Sequence, residues 1–253
     1  MTRKSRAEVA RMRRAGRVVA EVLALVEGEL KAGVSTAELD RLAERHILAA
    51  GATPSFKGYP GINPRRPFPA SLCISLDDEI VHGIPGERII RDGQLVSVDA
   101  GAIVDGWHGD AARSFYVGVP PEPVRRLIDA TREAMRAGIA AAVPGHHIDD
   151  ISGAVEDVAT PLGFGIVRQF VGHGIGTEMH EEPQVPNYRT GRRGRKLEPG
   201  LCLAIEPMFT LGDYRAHVLD DDWTVATVDG SLAAHFEDTI AITDEGPEVL
   251  TAL

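Results

Sequence analysis

The chain reads DAGAIVDGWHGD at residues 99–110, and this stretch decides the fold because it specifies a β-hairpin. Asp105 and Gly106 lie between β-type residues, and an Asp-Gly pair in that setting is typical of a two-residue hairpin turn. With these two residues as the loop, Val104 pairs with Trp107 and the flanking segments run antiparallel. The stretch therefore predicts two paired strands.

The two acids that bound this stretch fall on one face of the predicted hairpin. Asp99 and Asp110 become diagonal neighbours with Cα atoms about 7–8 Å apart, and Gly101, opposite Asp110, is expected to leave room between them. Asp99 follows the apolar run LVSV, where burying an acid is costly unless it is paired or bound to a cation. The pair predicts a cation site, and a solvent-facing pair is the alternative on this hairpin alone.

Helical periodicity occurs twice along the chain. Apolar residues recur at helical spacing up to Gly33, and a second such stretch, capped by Ser35, ends at Gly51. The same order returns later, with stops at Gly145 and Gly163. Each later stop follows its counterpart by the same number of residues, which indicates a repeat.

The strands repeat as well. The segment RDGQLVSVDA parallels EPGLCLAIEP, so Asp99 corresponds to Glu206. Farther along, HGD parallels HFE and each precedes a β-rich stretch, so Asp110 corresponds to Glu237. An internal duplication would bring these four acids to one axis, whereas chance similarity of short segments is the alternative.

The repeat predicts the architecture. Two α-then-β halves, at about 1–120 and 121–253, follow one another without a Pro/Ser-rich linker. We therefore expect a single α+β catalytic domain over residues 1–253, with pseudo-twofold halves around a central antiparallel sheet.

Composition narrows the function. The net charge of −10 over 253 residues disfavours nonspecific attraction to DNA or to an anionic membrane. The basic start leads into no continuous apolar segment, so we expect neither a signal peptide nor a membrane span, and a cytoplasmic location. Two cysteines, Cys73 and Cys202, are too few for a disulfide framework. Each lies in an apolar run, which argues against a cysteine nucleophile.

One histidine joins the four acids. His173 is flanked by glycines in VGHGIG, which lacks the spacing of a dinucleotide-binding loop. Four carboxylates and one imidazole suit two borderline-hard divalent ions such as Co, Mn, Fe or Zn, whereas structural zinc more often shows cysteines. The predicted metal ligands are Asp99, Asp110, His173, Glu206 and Glu237.

Four motifs together resemble the type I methionine aminopeptidases, which have the pita-bread (creatinase/aminopeptidase) fold: DAGAIVDGWHGD, VGHGIGTEMHEEPQVPN, AIEPM and HFEDTIAIT. The resemblance covers nearly the whole chain and leaves no room for the long insertion of the type II enzymes. It implies that Asp110 and Glu237 bridge two metal ions. It also implies that Asp99 binds one ion and that His173 with Glu206 binds the other.

The resemblance implies an activity and its catalytic residues. The activity is removal of the initiator methionine from nascent polypeptides whose second residue is small, through a water whose pKa two metal ions lower. Glu206 is the expected proton shuttle. His82, in LDDEIVHGIP, would act at the scissile amide, and His180, in EMHEEP, would stabilise the developing oxyanion. Without the resemblance, each histidine is more simply read as a surface or satisfied residue.

A methionine pocket is implied only by the resemblance. Such a pocket is small, dry and apolar, and the family places five residues around it, although each also fits an ordinary core position: Phe56, Tyr59, Cys73, Met179 and Trp223. This chain departs from the family in an apparent insertion between Tyr59 and Cys73, in Met179 where relatives often have an aromatic residue, and in Gly101 where they often have threonine.

Two other functions remain open at this stage. Gly101 makes the string DAGA similar to Xaa-Pro aminopeptidases and prolidases, which share the fold but usually carry a large extra N-terminal domain. A non-catalytic pita-bread binding protein would typically have lost metal ligands, and all five are present. The family suggests a monomer. The basic stretch YRTGRRGRKLEPG is either a contact for the ribosome or a solvated loop.

Overall fold

The computed structural model describes residues 3–61 and 63–253, and its helices form where the apolar periodicity predicts them. Within those ranges the α-helices are α1 (Arg6–Glu29), α2 (Thr36–Ala49), α3 (Glu122–Ala141) and α4 (Ile148–Ala159). A 3₁₀ turn, Thr160–Leu162, follows α4. None of the helices in this part of the chain has the length and apolar character needed to cross a membrane.

Local sequence explains where the helices begin and end. Ser5 and Ser35 each close a capping box with the glutamate three residues on, which satisfies N–H groups of the first turn of α1 and α2. The predicted stops all have positive φ values, at Gly33, Gly51, Gly145 and Gly163. Glycine adopts that conformation without strain, so the chain can turn within a few residues of each helix end.

The strands of the described ranges form one large sheet and two small ones. They are β1 (Thr53–Pro54), β2 (Leu72–Leu76), β3 (Glu79–Val81), β4 (Leu95–Val104), β5 (Trp107–Tyr116), β6 (Gly165–Ile166), β7 (Gly172–Gly174), β8 (Glu181–Val185), β9 (Cys202–Ile205), β10 (Met208–Thr210), β11 (Ala216–Val218), β12 (Val225–Thr227), β13 (Ala233–His235), β14 (Glu237–Thr243) and β15 (Gly246–Val249). The large sheet has the order β1-β4-β5-β14-β9-β7-β8, with β2 beside β4 and β15 beside β14. The small sheets have the orders β13-β10-β6 and β11-β12-β3.

The predicted hairpin is formed by β4 and β5 in the predicted register. Gly101 pairs with Asp110. Asp105 and Gly106 have φ values of 49° and 78°, and two successive positive φ values are what a type I′ hairpin turn requires. The hairpin prediction is confirmed.

Two related halves meet at the centre of the large sheet. Strands β5 and β14 are neighbours there, where Ala112 pairs with Glu237 and Ala111 with Asp238. Strand β4 lies on the outer side of β5, and β9 on the outer side of β14, all antiparallel. The predicted α+β architecture is confirmed. The halves differ in one respect, because the chain between β9 and β14 leaves the large sheet to build β10 to β13 instead of a tight turn.

The helices cover one face of the large sheet. Val98 of β4 packs with Val22 of α1, and Ile205 of β9 packs with Ile151 of α4. Successive side chains on a strand point to opposite faces, so Asp99, next to Val98, points away from the helices. The face without helices is therefore the one that carries the predicted acids.

Candidate metal centre

The predicted ligands occupy two adjacent rows of the large sheet. In one row, Ala112 of β5 pairs with Asp99 on one side and with Glu237 on the other. Glu206 follows directly after Ile205, the residue of β9 that pairs with the neighbour of Glu237, and so stands at the same level. Residues of one row share a face in an antiparallel sheet. Three of the four acids thus face the same side.

The second row lies two residues along the strands and supplies the other two ligands. Asp110 of β5 pairs with Gly101, and His173 of β7 pairs with Ala204 of β9. A shift of two residues preserves the face, so Asp110 and His173 point to the same side as the first row. The five predicted ligands thus lie on one face of the sheet.

The side chains of these residues converge. The Nε2 atom of His173 lies 3.6 Å from Oε1 of Glu206 and 3.9 Å from Oδ2 of Asp110. Among the described residues, one ligand atom each from Asp110, His173 and Glu237 lie within 4.8 Å of one another. This spacing leaves a gap that a single divalent ion would fill.

A sixth residue, His235, belongs to the same cluster. Its Nε2 lies 3.7 Å from Oε2 of Glu206 and 3.7 Å from Oε2 of Glu237. The sequence analysis used the HFE motif only to mark the repeat, although the motif places this histidine two residues before a predicted ligand. The counterpart in the first half, His108, instead has its Nδ1 3.0 Å from the hydroxyl of Ser55.

The electrostatics of the cluster fit a cation. Within the described ranges, Asp99, Asp110 and Glu237 each bury a carboxylate oxygen without a hydrogen-bond partner. Burial raises the pKa of Asp99 to about 7. Burial and the neighbouring acids together raise the pKa of Asp110 and Glu237 well above the usual range. Bound positive charge would offset both the lost hydration and the repulsion. The residues present therefore fit a divalent metal ion.

The predicted ligand His173 is prepared for metal binding. Its Nδ1 lies 2.9 Å from the carbonyl oxygen of Gly174 and donates to it, which leaves Nε2 to face the carboxylates. Burial, with the nearby His180, lowers the pKa of His173 to about 3. The imidazole is therefore neutral at neutral pH, as a ligand must be.

The two predicted catalytic histidines line the same cavity. The ring of His180 packs at a tilt against that of His173, with centroids 4.4 Å apart, and its Nδ1 lies 2.6 Å from the hydroxyl of Tyr59. His82 packs edge-on against Phe170, with centroids 5.5 Å apart. Burial lowers the pKa of His82 to about 4 and also lowers that of His180. Both rings are thus neutral at neutral pH.

A cavity of about 260 Å³ opens above the cluster. Its walls include all five residues predicted for the methionine pocket: Phe56, Tyr59, Cys73, Met179 and Trp223. The wall also contains Phe68 and Phe170, which the sequence analysis missed. An aromatic residue shortly before Cys73 was the available signal for Phe68, but the insertion hid it.

The insertion packs against the cavity wall. The indole N–H of Trp223 donates to the carbonyl oxygen of Arg66 at 2.9 Å, and Phe68 meets the Trp223 ring edge-on, with centroids 5.1 Å apart. A Cβ on Gly61 would lie 2.6 Å from the Trp223 ring. The insertion is thus part of the rim of the cavity.

One expectation about Gly101 is wrong. A Cβ at this position would lie 2.8 Å from Cβ of Ser55 and 2.9 Å from the ring of Phe56. The space opposite Asp110 is therefore filled by these two side chains and is not left open for a cation. Phe56, a wall residue of the cavity, can approach the sheet because Gly101 has no side chain.

Comparisons with known proteins agree with this geometry. A model of metallopeptidase family M24 matches residues 10–244. The methionine aminopeptidase of Clostridium acetobutylicum is 49% identical and covers 98% of this chain and 97% of its own length. The crystal structure of methionine aminopeptidase from Thermotoga maritima superposes with a TM-score of 0.95 at 38% identity over 100% of both chains.

More distant structures share the fold. The prolidase of Pyrococcus furiosus superposes with a TM-score of 0.78 at 22% identity, over 99% of this chain but 65% of that one. Identity at that level establishes common architecture, which here is the pita-bread fold. The chain therefore belongs to metallopeptidase family M24, and within it to the methionine aminopeptidases.

Proposed function

We propose that this chain is a metal-dependent methionine aminopeptidase that removes the initiator methionine from nascent proteins whose second residue is small. One observation carries the proposal: a largely apolar cavity of about 260 Å³ ends on a buried cluster of carboxylates and histidines. The apolar wall suits a thioether side chain, and the cluster suits divalent metal. Membership of the family supports the same activity.

Two divalent ions are proposed for the centre, of Co, Mn, Fe or Zn. Asp110 and Glu237 would bind both ions because they come from neighbouring central strands and offer buried oxygens. Asp99 would complete the coordination of one ion. His173 and Glu206 would complete the coordination of the other. When bound, the ions would lower the pKa of water and polarise the scissile carbonyl.

Glu206 is proposed to carry a proton from the attacking water to the leaving amine. Its carboxylate lies in the wall of the cavity, 3.6 Å from Nε2 of His173 and 3.7 Å from Nε2 of His235. A carboxylate there could accept a proton from the water and pass it to the leaving nitrogen. The amide of Asn187 donates to the backbone carbonyl of Glu206 at 3.0 Å and holds the residue at the end of β9.

His180 is proposed to donate a hydrogen bond to the developing oxyanion. Burial raises the pKa of Tyr59, so its hydroxyl stays protonated and can donate to Nδ1 of His180. The single proton of the neutral imidazole then resides on Nε2, which is free to donate into the cavity. Replacing His180 by Ala should lower kcat roughly 10²-fold with metal retained, and near-wild-type turnover would contradict this role.

His82 is proposed to contact the scissile amide. Its ring lines the cavity between Phe170 and Trp223, with the Trp223 centroid 6.4 Å away. A neutral imidazole in that position can accept the hydrogen bond of the amide N–H or pass a proton to the leaving nitrogen.

The methionine side chain is proposed to lie among Phe56, Tyr59, Cys73, Met179 and Trp223. Burial raises the pKa of Cys73 well above its usual range, so its thiol stays protonated and acts as a small apolar group. Phe68 meets the rings of both Phe56 and Trp223 edge-on and closes that wall. The pocket is therefore lined mainly by aromatic and sulfur-containing side chains.

The deciding experiment measures release of free amino acid from Met-Ala-Ser and Ala-Pro peptides. Metal-stripped protein is assayed after adding Co, Mn, Fe or Zn in turn. Release of methionine from the first peptide with at least one ion is expected. Cleavage of the Ala-Pro peptide alone would instead indicate a prolidase-like enzyme, and no cleavage with metal bound would indicate a binding protein.

The natural partners are proposed to be nascent chains in the cytoplasm. The enzyme is proposed to be a monomer that encounters these chains near the ribosome. The support for a ribosomal contact is the basic segment after Tyr188, although Arg189 in it is already paired with Asp157 at 2.7 Å. Co-sedimentation with ribosomes at low and moderate salt tests this point, because an electrostatic contact weakens as salt rises.

A further inference from the structure

A lysine near the start of the chain is buried against the segment that carries His180. The Lys4 side chain is 1% exposed, and its Nζ lies 2.6 Å from Oε2 of Glu181. Lysine is almost never fully buried unless it is paired. Glu181 is the residue after His180, so this ion pair joins the N-terminal segment to the loop that carries a proposed catalytic group.

Two glycines make room for Lys4. Its backbone N–H donates to the carbonyl oxygen of Gly200 at 2.7 Å, and a Cβ on Gly200 would lie 2.6 Å from the carbonyl oxygen of Lys4. A Cβ on Gly176 would lie 2.3 Å from Oε1 of Glu181 and 2.6 Å from Cε of Lys4. Gly200 thus admits the backbone of Lys4, and Gly176 admits its side chain.

The ion pair closes the loop between the two histidines of the centre. Oε1 of Glu181 accepts a hydrogen bond from the backbone N–H of Thr177 at 3.1 Å, while Oε2 receives Lys4. The carbonyl oxygen of Gly176 accepts from the backbone N–H of His108 on β5. The segment 176–181 is therefore attached to β5 through Gly176 and to β7 through the pairing of Glu181 with Gly174. The Glu181 side chain adds a third attachment, to Lys4.

We infer that Lys4 is a positioning residue for His180. Without the ammonium, the Glu181 carboxylate would be a partly buried charge with no cation, and it would turn toward water. Thr177 would then lose its acceptor, and the loop would carry His180 away from the cavity. A displacement of this kind of about 1 Å can lower the rate tenfold or more. The inference rests on the proposed role of His180.

A double-mutant cycle tests the inference. Lys4→Met is combined with His180→Ala, and kcat for Met-Ala-Ser is measured at saturating metal. We expect Lys4→Met alone to lower kcat about tenfold, with bound metal unchanged, and to have little further effect in the His180→Ala background. The same fractional loss in both backgrounds, or no loss in either, would overturn the inference.

Two further variants control for folding and for charge. Arg3→Met removes the neighbouring cation, whose exposed pair with Glu198 spans 3.7 Å, and should leave kcat unchanged. Lys4→Met with Glu181→Met removes both charges, which restores stability when a buried pair is replaced by apolar groups. That double variant should fold and still show the low kcat, and wild-type kcat in it would exclude a positioning role.

Failure of this inference is distinguishable from failure of the proposed function. If His180→Ala retains wild-type turnover, the role of His180 is wrong whatever Lys4 does. If His180→Ala is slow but Lys4→Met is not, only the positioning role of Lys4 is wrong.

Discussion

Burial sets the protonation state of the histidines around the centre, and in His173 and His180 one hydrogen bond then sets the orientation of the ring. The pKa of His82 falls to about 4, that of His173 to about 3, and that of His180 is also lowered. A neutral imidazole donates at one nitrogen and accepts at the other. The carbonyl of Gly174 and the hydroxyl of Tyr59 therefore decide which nitrogen of His173 and His180 faces the cavity.

Replacing Tyr59 by Phe should reduce kcat about fivefold to tenfold while KM changes little. The ring keeps its place in the wall, but Nδ1 of His180 loses the hydroxyl 2.6 Å away, at a cost of about 1 kcal/mol. Steady-state kinetics with Met-Ala-Ser check this. A rise in KM with unchanged kcat would mean that Tyr59 serves the pocket alone.

Replacing Gly101 by Thr, the residue that relatives often have, should destabilise this protein by about 1–3 kcal/mol. The new side chain would overlap Ser55 and Phe56, which lie under 3 Å from its Cβ position. Gly28→Ala in α1 is the matched control, because no atom lies within 4 Å of the added Cβ and the helix should gain up to about 1 kcal/mol. Thermal unfolding of both variants measures the difference, and equal shifts would contradict the packing argument.

Among the helices, strands and turns, those features that depend only on nearby residues could be predicted from the sequence. The Asp105-Gly106 turn and the glycine stops of the helices need only their neighbours in sequence. Strands β10 to β13 could not be predicted, because their pairing joins residues that are distant in sequence, such as Phe209 and Ala234. Such pairing depends on the tertiary fold and not on neighbouring residues. The four acids proposed as metal ligands could be predicted because the repeat relates them in pairs. The role of Lys4 could not be predicted, since its partner lies far along the chain.

Strands β5 and β14 separate just beyond their central pairs, and one side chain spans the gap. The hydroxyl of Thr239 accepts from the backbone N–H of Asp110 at 3.0 Å and donates to the carbonyl oxygen of Asp110 at 2.8 Å. A threonine thus replaces ladder hydrogen bonds beside a proposed metal ligand. The pairing of β5 with β14 therefore ends at a residue that is proposed to bind metal.

Replacing Thr239 by Val should cost about 2 kcal/mol or more, because two buried backbone groups of Asp110 lose their partner. It should also weaken metal binding, since the Asp110 backbone is no longer held. Thr243→Val on the same strand is the control, where the hydroxyl is only partly buried and contacts Gly246. Urea unfolding and metal titration check both effects, and equal costs for the two variants would contradict the argument.

At the scale of the whole molecule, metal and pH are coupled through the buried carboxylates. Burial raises the pKa of Asp99 to about 7 and that of Asp110 well above its usual range. The folded metal-free protein therefore holds protons that the unfolded chain has released, and its stability falls as pH rises through these raised values. The histidines act in the opposite sense, but only below about 6.5, because their lowered pKa values leave them neutral above it.

The melting temperature of the metal-free protein should therefore fall between pH 6.5 and 8. Added metal should raise it, and by more at pH 8, because the cation competes with fewer protons there. Calorimetry at both pH values, with and without ion, measures this. A metal-free melting temperature that stays constant across this range would contradict the proton linkage.

The junction of β5 and β14 has a mechanical consequence for the two halves. It contains two residue pairs, whereas β4 and β5 share a ladder along their full length. Ions held jointly by Asp110 and Glu237 would act as inorganic cross-links between the halves. Amide hydrogen exchange in β14 should therefore slow on metal addition far more than in β2, which pairs with β4 away from this junction. The cofactor would then be part of what holds the duplicated halves together.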